Sequence, residues 1–342
     1  MSITYKSTGV NIDAGNAFAR SIKQGVAETH RPEVVGGIGG FGGMVSIPKK
    51  YKNPLLVLAT DGVGTKLKLA GEHDRHSTIG QDLVAMSVND VLCSGAEPLA
   101  FLDYFATGRL NPDLASLVVA GVADACKKAG CALLGGETAE MPGFYASGVY
   151  DLAGFCLGVV EREEALTPER VQAGDMLIGL LSDGPHSNGY SLIRAILDDA
   201  GEPPEDVLKE ILAPTRIPSA AILAVRSLVS GVAHVTGGGL VDNVPRMVGE
   251  EFQATIEKAE WKRPASFDWL QRAGGLSERE MLRTFNCGIY FVIAARPKNA
   301  PKILQTLASH GERSVIIGSV HSREETVHQR SGQLLLSGGG GC

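Results

Sequence analysis

Residues 55–66 read LLVLATDGVGTK. The apolar first half is too short for a typical helix and predicts a buried strand. That strand delivers a carboxylate, two permissive glycines, a hydroxyl and an ammonium to one loop, at Asp61, Gly62, Gly64, Thr65 and Lys66. A carboxylate can hold Mg²⁺, and the backbone N–H groups of a glycine-rich loop can approach phosphate oxygens. The stretch therefore indicates a metal–nucleotide site, although Asp-Gly also begins ordinary turns.

The bulk composition predicts a folded protein outside the membrane. The chain has 342 residues, of which 44% are hydrophobic, and a net charge of −6. Its length predicts two domains, and the lack of a polybasic run argues against a nucleic-acid partner. No apolar stretch reaches the roughly 18 residues of a membrane span, and Met1–Thr8 lacks an apolar signal core. We therefore expect a cytoplasmic protein with no membrane partner.

Cysteine and glycine usage narrows the kind of site. The six cysteines form no C-x-x-C pair, so we expect buried thiols rather than a zinc site. The 43 glycines cluster beside strand-like runs, which suits loops shaped around a ligand. The cluster at 36–43 formally contains G-x-G-x-x-G, but a short strand rather than a helix follows it. This context argues against a dinucleotide fold and predicts a loop that closes over a ligand.

Residues 79–92 have helical periodicity with one broad polar face. Asp82 and Asn89 lie within about 20° of each other on a helical wheel, and Asp90 lies about 80° from Asp82. Such a face is usually solvated. Asp90 nevertheless lies among apolar residues and, if buried, needs a partner, for which a metal ion is one candidate.

The rest of the first half alternates strands and helices. Leu99–Phe105 and Leu152–Val160 read as strands, and Asn111-Pro112 and Gly130 mark the ends of a helix. A strand at 131–134 delivers the stretch GGETAEMPG at 135–143. The predicted order is β-α-β-α-β-β, with carboxylates repeatedly at strand ends.

The second half begins after a charged stretch at 161–174. The predicted elements are a strand at 176–181, helices at 190–200 and 242–247, a capping box at Ser277, a strand at 289–294, a helix at 302–309 and a strand at 314–320. We therefore predict two mixed α/β (α+β) domains, at 1–165 and 166–330, and a flexible glycine-rich tail at 331–342.

Two sets of residues suit nucleotide and metal chemistry. The candidates for nucleotide phosphates are Gly62, Gly64, Thr65 and Lys66, with Lys23 as an outside candidate. No Walker A or kinase motif occurs, so a nucleotide would bind on another fold. The candidate Mg²⁺ ligands are Asp61, Asp90 and Glu137, with Asp82 as an outside candidate, because triphosphate chemistry needs charge neutralisation. Each of these residues taken alone is more often structural.

Two histidines lie beside glycine-rich turns. His186 lies within GPHSNG at 184–189, and His234 precedes TGGG at 236–239. Either could act as a general base or acid near neutral pH, or be a hydrogen-bonded turn residue. Ser187 and Asn188 could bind a ligand or cap the next helix. Cys287 has no histidine beside it in sequence, so we expect a buried thiol.

Seven motifs together resemble the phosphoribosylformylglycinamidine cyclo-ligase (aminoimidazole ribonucleotide synthetase) family, over about Tyr5 to Val320. They are IGGFG at 38–42, DGVGTK at 61–66, VND at 88–90, GGETAEMP at 135–142, GPHSNG at 184–189, TGGG at 236–239 and RTFNCG at 283–288. The occurrence of GGETAEMP and GPHSNG in one chain is highly specific to this resemblance.

The resemblance implies an enzyme that uses ATP and Mg²⁺ to cyclise formylglycinamidine ribonucleotide to aminoimidazole ribonucleotide, releasing ADP and phosphate, in purine biosynthesis. It implies a homodimer formed by the N-terminal sheets, with ATP bound mainly by the N-terminal domain. Asp61 and Asp90 would bind the metal with Glu137 as a third contributor. The implied nucleotide contacts are the 62–65 loop, Lys66, Lys23, Asn89 and Thr138. The implied substrate contacts are Ser187, Asn188, Gly40 and Gly42, and the implied catalytic residues are His186, Lys66 and His234.

Two departures from the family pattern stand out. Tyr290 follows the RTFNCG motif where glycine is expected, and Cys342 ends the chain. A terminal cysteine also occurs in related hydrogenase-maturation proteins, but the glycine-rich stretch and the upstream motifs argue against that assignment. The alternatives are therefore other ATP-dependent relatives: selenophosphate synthetase, thiamine-phosphate kinase or formylglycinamidine ribonucleotide synthetase. The first usually carries a reactive cysteine in the glycine-rich loop, which residues 36–43 lack. The last is usually longer. A non-catalytic nucleotide-binding scaffold would not need to retain the acids.

Overall fold

The computed structural model describes residues 6–37, 39–323 and 333–337. The α-helices are α1 (Ile12–Ala27), α2 (Lys66–Glu72), α3 (His76–Cys93), α4 (Pro112–Ala129), α5 (Tyr190–Ala200), α6 (Glu205–Ile211), α7 (Ser219–Val225), α8 (Gly239–Met247), α9 (Ala265–Ala273), α10 (Glu278–Thr284) and α11 (Ala300–Ser309). The strands are β1 (Val34–Val35), β2 (Met44–Val45), β3 (Pro54–Gly62), β4 (Glu97–Thr107), β5 (Ala132–Glu140), β6 (Tyr150–Glu161), β7 (Met176–Leu181), β8 (Gly231–His234), β9 (Phe252–Glu257), β10 (Ile289–Ala295), β11 (Ser314–Ser322) and β12 (Gln333–Ser337).

The chain forms two compact units. Unit 1 comprises residues 1–91, 97–161 and 214–219, and unit 2 comprises the remainder. The sequence-based boundary at 165/166 lies near the main division. Two short segments, 92–96 and 214–219, belong to a different unit from their neighbours in the chain. Both units mix helices with sheets, which confirms the predicted fold class.

Unit 1 is built on a four-stranded sheet in the order β3-β6-β4-β5. β6 is antiparallel to β3 and β4, whereas β4 and β5 are parallel and are connected by α4. Helices α1 and α4 pack on β5, and Ser87 of α3 donates a hydrogen bond to the Gly154 carbonyl of β6. The helices cover one face of the sheet, so alternate β6 residues, such as Leu152 and Cys156, are buried.

The structure confirms both predicted ends of the helix at 112–129 in the first half of the chain. Asn111 caps α4 by accepting from the N–H groups of Asp113 and Leu114, and Gly130 ends it at φ +76°. In α1 the cap is Asn11, which accepts from the N–H of Ala14, so the helix begins at Ile12 and Asp13 lies in its first turn.

β5 is longer than the sequence predicts. The expected strand at 131–134 continues through Glu140, so GGETAE lies within the sheet rather than in a loop. It persists because parallel pairing with β4 continues from Ala100↔Ala132 to Thr107↔Glu140, with one irregularity after Phe101. Glu137 is therefore a strand residue opposite Tyr104.

Unit 2 is built on an antiparallel sheet in the order β12-β9-β11-β7-β10-β8. Every residue of β10 is buried. This matches its uninterrupted apolar run, IYFVIAA. The prediction of a flexible tail is wrong for residues 333–337, because these form β12 on β9. The other tail residues that this prediction covered, including Cys342, lie outside the described residues.

Candidate functional site

The loop after β3 is shaped by its two glycines. A Cβ at Gly62 would lie 2.9 Å from the Leu152 carbonyl oxygen, and Gly64 has a φ of +73°. Larger residues would therefore clash at the first position and be strained at the second. Asp61 is half-buried, and its Oδ1 accepts a hydrogen bond from the N–H of Gly62 at 2.7 Å. Gly64 and Thr65 are exposed, so the loop is open to a ligand at these positions.

Lys66 does not share that exposure. Its side chain is 1% exposed, and its Nζ lies 2.8 Å from Oδ2 of Asp82, which is 0% exposed. Burial lowers the pKa of Lys66, and the Asp82 carboxylate opposes this change. Lys66, which was predicted to contact phosphate, is thus part of a buried ion pair in this structure.

Asp82 and Asn89 on the polar face of α3 are also buried, contrary to the prediction that this face is solvated. Oδ1 of Asp82 accepts from both the N–H and the hydroxyl of Thr215, each at 2.7 Å. Asn89 donates to the Arg216 carbonyl at 3.0 Å. Both residues bind the 214–219 segment within unit 1. Asn89 is 0% exposed, so it does not lie open to a nucleotide as expected.

The three predicted metal ligands lie apart. Asp61 is on β3 and Glu137 on β5, the two outer strands of the sheet, about 14 Å apart at three interstrand spacings. Asp90, which the sequence placed among apolar residues, is exposed. Within the part of the chain that the structure describes, no three His, Cys, Asp or Glu side chains could hold one metal ion together. A single protomer therefore does not gather these three carboxylates around one ion.

Asp61 and Asp90 are both placed relative to Gly154 of β6. The register places Asp61 opposite Gly154, and Ser87, whose hydroxyl bonds the Gly154 carbonyl, is one helical turn before Asp90. Mg²⁺ commonly uses one or two protein carboxylates and keeps several waters. This donor set fits that ion, without Glu137.

A cavity of about 580 Å³ lies beside the glycine-rich segment in unit 1. Its walls come from α1, residues 39–43, β4, α4 and β5. The predicted ligand-site residues in its lining are Gly40, Gly42, Glu137 and Thr138. Lys23 follows the lining residue Ile22 but is itself exposed.

Asp103 also lines this cavity, although the sequence analysis did not identify it as a candidate site residue. It lies within the strand sequence FLDYFA at 101–106. A single acid in an otherwise apolar run is the signal that could have identified it, since an isolated acid is rarely placed in a sheet without a role. Burial raises the pKa of Asp103 to about 7, and its bond to its own backbone N–H opposes this.

Unit 2 brings three separated motifs together around the GPHSNG turn. Oδ1 of Asn188 accepts from the N–H of Gly237 at 3.0 Å, which ties this turn to TGGG. Asn286 of RTFNCG donates to the Gly184 carbonyl at 2.9 Å. His186 has a φ of +64°, a strained conformation for a residue other than glycine. The sequence predicted these motifs, but only the folded chain joins them.

His186 and His234 lie at two ends of one aromatic cluster. The His186 ring centroid lies 5.1 Å from that of Tyr290, edge to face, and the His234 ring lies 5.1 Å from Phe291. Tyr290 fills the position where the family pattern has glycine, and its hydroxyl donates to Oε2 of Glu312 at 2.8 Å. Both histidines are nearly buried, as is Ser187.

Cys287 is a buried thiol, as predicted. Burial raises the pKa of its thiol to about 12, which removes the thiolate needed for nucleophilic attack. None of the described helices has the length and apolar character to cross a membrane.

Two family models match the chain. The model for the AIR synthase related protein, N-terminal domain, matches residues 43–160, and that for the C-terminal domain matches residues 172–330. Together the two models span most of the sequence. The chain therefore belongs to the AIR synthase related proteins.

Solved structures share the fold at low sequence identity. The hydrogenase maturation protein HypE in complex with ATP is 19% identical, with a TM-score of 0.66, covering 89% of this chain and 86% of that one. Thiamine-monophosphate kinase from Stenotrophomonas maltophilia K279a is 17% identical, with a TM-score of 0.67, covering 88% and 93%. T. maritima PurL complexed with AMPPCP is 14% identical, with a TM-score of 0.52, covering 91% and 47%.

Proposed function

We propose that this AIR synthase related protein is a phosphoribosylformylglycinamidine cyclo-ligase of purine biosynthesis. It would convert formylglycinamidine ribonucleotide and ATP to aminoimidazole ribonucleotide, ADP and phosphate. The observation that carries the proposal is the presence of GGETAEMP and GPHSNG in one chain with both family domains. The contacts of the GPHSNG turn with TGGG and RTFNCG support a shared role for these motifs.

The reaction must turn a poor leaving group into a good one. The amide oxygen of the substrate attacks the γ-phosphorus of ATP, and ADP leaves. A ring nitrogen then attacks the same amide carbon, a C–N bond forms, and the oxygen departs as phosphate. The protein has to hold the γ-phosphoryl group in line with the amide oxygen and neutralise the developing charge.

Unit 1 would bind the nucleotide. The exposed backbone at Gly64 and Thr65 suits phosphate oxygens, and Thr138 offers a hydroxyl at the cavity. Asp61 and Asp90 would hold Mg²⁺, which supplies charge neutralisation on the triphosphate when bound. The HypE structure is a complex with ATP and the PurL structure is a complex with AMPPCP, and both support this assignment.

Unit 2 would handle the other substrate. His186, Ser187 and Asn188 occupy one turn, and His186 is our first choice for proton transfer. His234 is the second choice. The strained φ of His186 favours a functional role, because such strain persists where the surroundings enforce it.

A homodimer is part of the proposal. One face of the unit 1 sheet carries exposed apolar side chains, and the register places them on the same side. They are Leu56, Leu58, Leu102, Tyr104 and Phe155, which are 37–60% exposed. Scattered surface apolar residues are normal, but a contiguous sheet face of this kind indicates a partner, and we assign a second copy of the chain.

The decisive test is incubation with ATP, Mg²⁺ and formylglycinamidine ribonucleotide, followed by mass detection of the product. We expect aminoimidazole ribonucleotide and ADP in equal amounts. Asp61→Asn should abolish turnover and leave the circular dichroism spectrum unchanged. Asp124→Asn, an exposed acid of α4 paired with Lys127, is the matched control and should retain full activity.

The alternative enzymes require other substrates. Incubation with thiamine monophosphate and ATP tests the hypothesis of a thiamine-phosphate kinase, which would form thiamine diphosphate. Turnover of thiamine monophosphate, with none of formylglycinamidine ribonucleotide, would overturn the proposed function. Binding of ATP without turnover of either would instead favour a non-catalytic scaffold.

A further inference from the structure

The cavity beside the glycine-rich segment contains an acid to which the proposed function gives no role. Apolar side chains form most of its wall, namely Phe18, Ile22, Val119 and Leu133. Asp103 lies on its β4 side, next to Gly136 of β5. A Cβ at position 136 would lie 2.3 Å from Oδ1 of Asp103, so glycine there leaves the space that the carboxyl group occupies.

The carboxyl group of Asp103 is short of hydrogen-bond partners. Within the described chain its only hydrogen bond is to its own backbone N–H, and no other residue donates to it. Asp103 is partly exposed and lines the cavity, so water or a ligand there can supply the missing hydrogen bonds. A ligand in the cavity can therefore reach this carboxyl group.

The side-chain charge of the lining disfavours a phosphate group. The described lining residues include the acids Asp103 and Glu137 but no lysine, arginine or histidine. A triphosphate there would face carboxyl groups without a compensating cation. The volume falls within the usual range of small-molecule sites, about 300–1,000 Å³. The cavity thus suits a neutral or cationic group with N–H donors.

We propose that this cavity binds the amidine-type N–C–N edge of a ligand, with Asp103 as the group that pairs with that edge. The proposal rests on the proposed function, because both of its substrates carry such an edge. In ATP it is N1, C6 and the amino group of adenine, and in formylglycinamidine ribonucleotide it is the amidine. A carboxyl group has the matching two-atom spacing for two parallel hydrogen bonds.

The protonation state of Asp103 distinguishes these two sources. A neutral carboxylic acid donates its O–H to N1 of adenine and accepts from the adenine amino group. A carboxylate accepts two N–H donors from a cationic amidine. Since the pKa of Asp103 is about 7, adenine binding should weaken as the pH rises through 7, and amidinium binding should strengthen.

Few other groups near Asp103 can titrate in this range. Cys126 on α4 and Cys156 on β6 are buried, and burial raises the pKa of both thiols, so they stay neutral. Cys131, just before β5, lies beside Cys126, and Glu137 on β5 is the other acid among the described residues that line the cavity. The lining residues of α1 carry no titratable side chain. A variant at position 103 therefore isolates the relevant proton.

Isothermal titration calorimetry of the full chain tests the proposal, with adenosine and acetamidinium chloride as probes. Adenosine stays neutral and acetamidinium stays charged between about pH 6 and about pH 8, while Asp103 changes from mostly protonated to mostly ionised. We expect one probe to bind, either adenosine about tenfold tighter at the lower pH or acetamidinium about tenfold tighter at the higher pH. Tripolyphosphate should not displace the bound probe from the cavity.

Two pairs of variants complete the test. Asp103→Ala removes both hydrogen-bonding atoms, so it should weaken binding of the probe at least tenfold at its preferred pH and remove the pH dependence, whereas Asp124→Ala should change neither. If Asp103→Ala fails to fold, Ala19→Leu narrows the cavity without changing the acid and should also weaken binding of the probe. Ala17→Leu on the same helix, an exposed position outside the lining, is its control.

The failure of this inference differs from failure of the proposed function. A wild-type protein that forms aminoimidazole ribonucleotide but binds neither probe overturns the cavity assignment alone. Equal binding of a probe by wild type and Asp103→Ala overturns it as well. Asp103-dependent binding without turnover supports the cavity assignment and overturns the cyclo-ligase.

Discussion

At the scale of single residues, Lys66 and Asp82 show how the interior of unit 1 uses charge. Removing two ions from water costs several kcal/mol for each ion, and mutual attraction offsets this only when further hydrogen bonds are present. Thr215 supplies two such bonds to Asp82. The ion pair therefore holds the start of α2, α3 and the 214–219 segment together within unit 1.

Lys66→Met tests this structural role. We expect the free energy of unfolding to fall by about 3–5 kcal/mol, because Asp82 would keep a buried charge without its cation. The double variant Lys66→Met/Asp82→Leu should recover part of that loss, as measured by chemical denaturation. A Lys66→Met protein of wild-type stability that no longer binds ATP would instead restore Lys66 as a phosphate contact.

Glu97 gives a prediction about pH. Burial raises its pKa, but hydrogen bonds from Lys50, Arg31 and Tyr51 outweigh burial and lower it from 4.5 to about 2. A carboxyl group with a lowered pKa in the folded state stabilises the fold above the ordinary pKa, and this contribution disappears as the pH falls towards the lowered value.

Glu97→Gln should therefore lower the free energy of unfolding by about 1–3 kcal/mol near neutral pH, with hydrogen bonds to a charged group lost. The difference from wild type should shrink as the pH falls from about 4.5 towards 2. Thermal unfolding across this pH range measures it. Glu205→Gln, an exposed acid paired with Lys209, should behave as wild type, and a pH-independent loss in Glu97→Gln would contradict the ionic origin.

At the scale of elements, close strand pairing in unit 2 depends on a glycine. β11 changes register against β7 between Ile316 and Gly318. A Cβ at Gly318 would lie 1.8 Å from the Thr255 carbonyl oxygen of the neighbouring β9. No side-chain rotation can relieve a clash between a Cβ and backbone, so the two strands would have to move apart.

Gly318→Ala should consequently lower the free energy of unfolding by about 1–3 kcal/mol, the usual cost of overpacking. Gly25→Ala in α1 is the matched control, since nothing lies within 4 Å of its Cβ position. That control should be neutral or stabilising by about 0.5–1 kcal/mol. Urea denaturation of both variants measures the difference, and equal stability of the two would show that β9 and β11 tolerate the extra carbon.

At the scale of the whole molecule, the exposed sheet face of unit 1 predicts a dimer. Leu58→Asp/Phe155→Asp places two charges on that face and should give a monomer, because an isolated carboxylate in an apolar interface is costly. Light scattering at micromolar concentration measures the mass. Leu117→Asp, on α4 and 46% exposed, should leave the dimer intact. A monomeric wild-type protein would remove the assigned partner.

Local sequence patterns predicted several elements correctly, but not the length of β5 or the strand β12. The bounds of β7 and α5 and both ends of α4 follow from apolar runs, caps and glycines, which act between residues close in the chain. Which of the candidate site residues lie close together depends on strand pairing and packing in the folded chain. Asp61 and Glu137 separate because parallel pairing places β5 at the far edge of the sheet. Lys66 is buried beside Asp82, which Thr215 binds from a distant part of the chain, and burial of a charge depends on packing that no local pattern encodes.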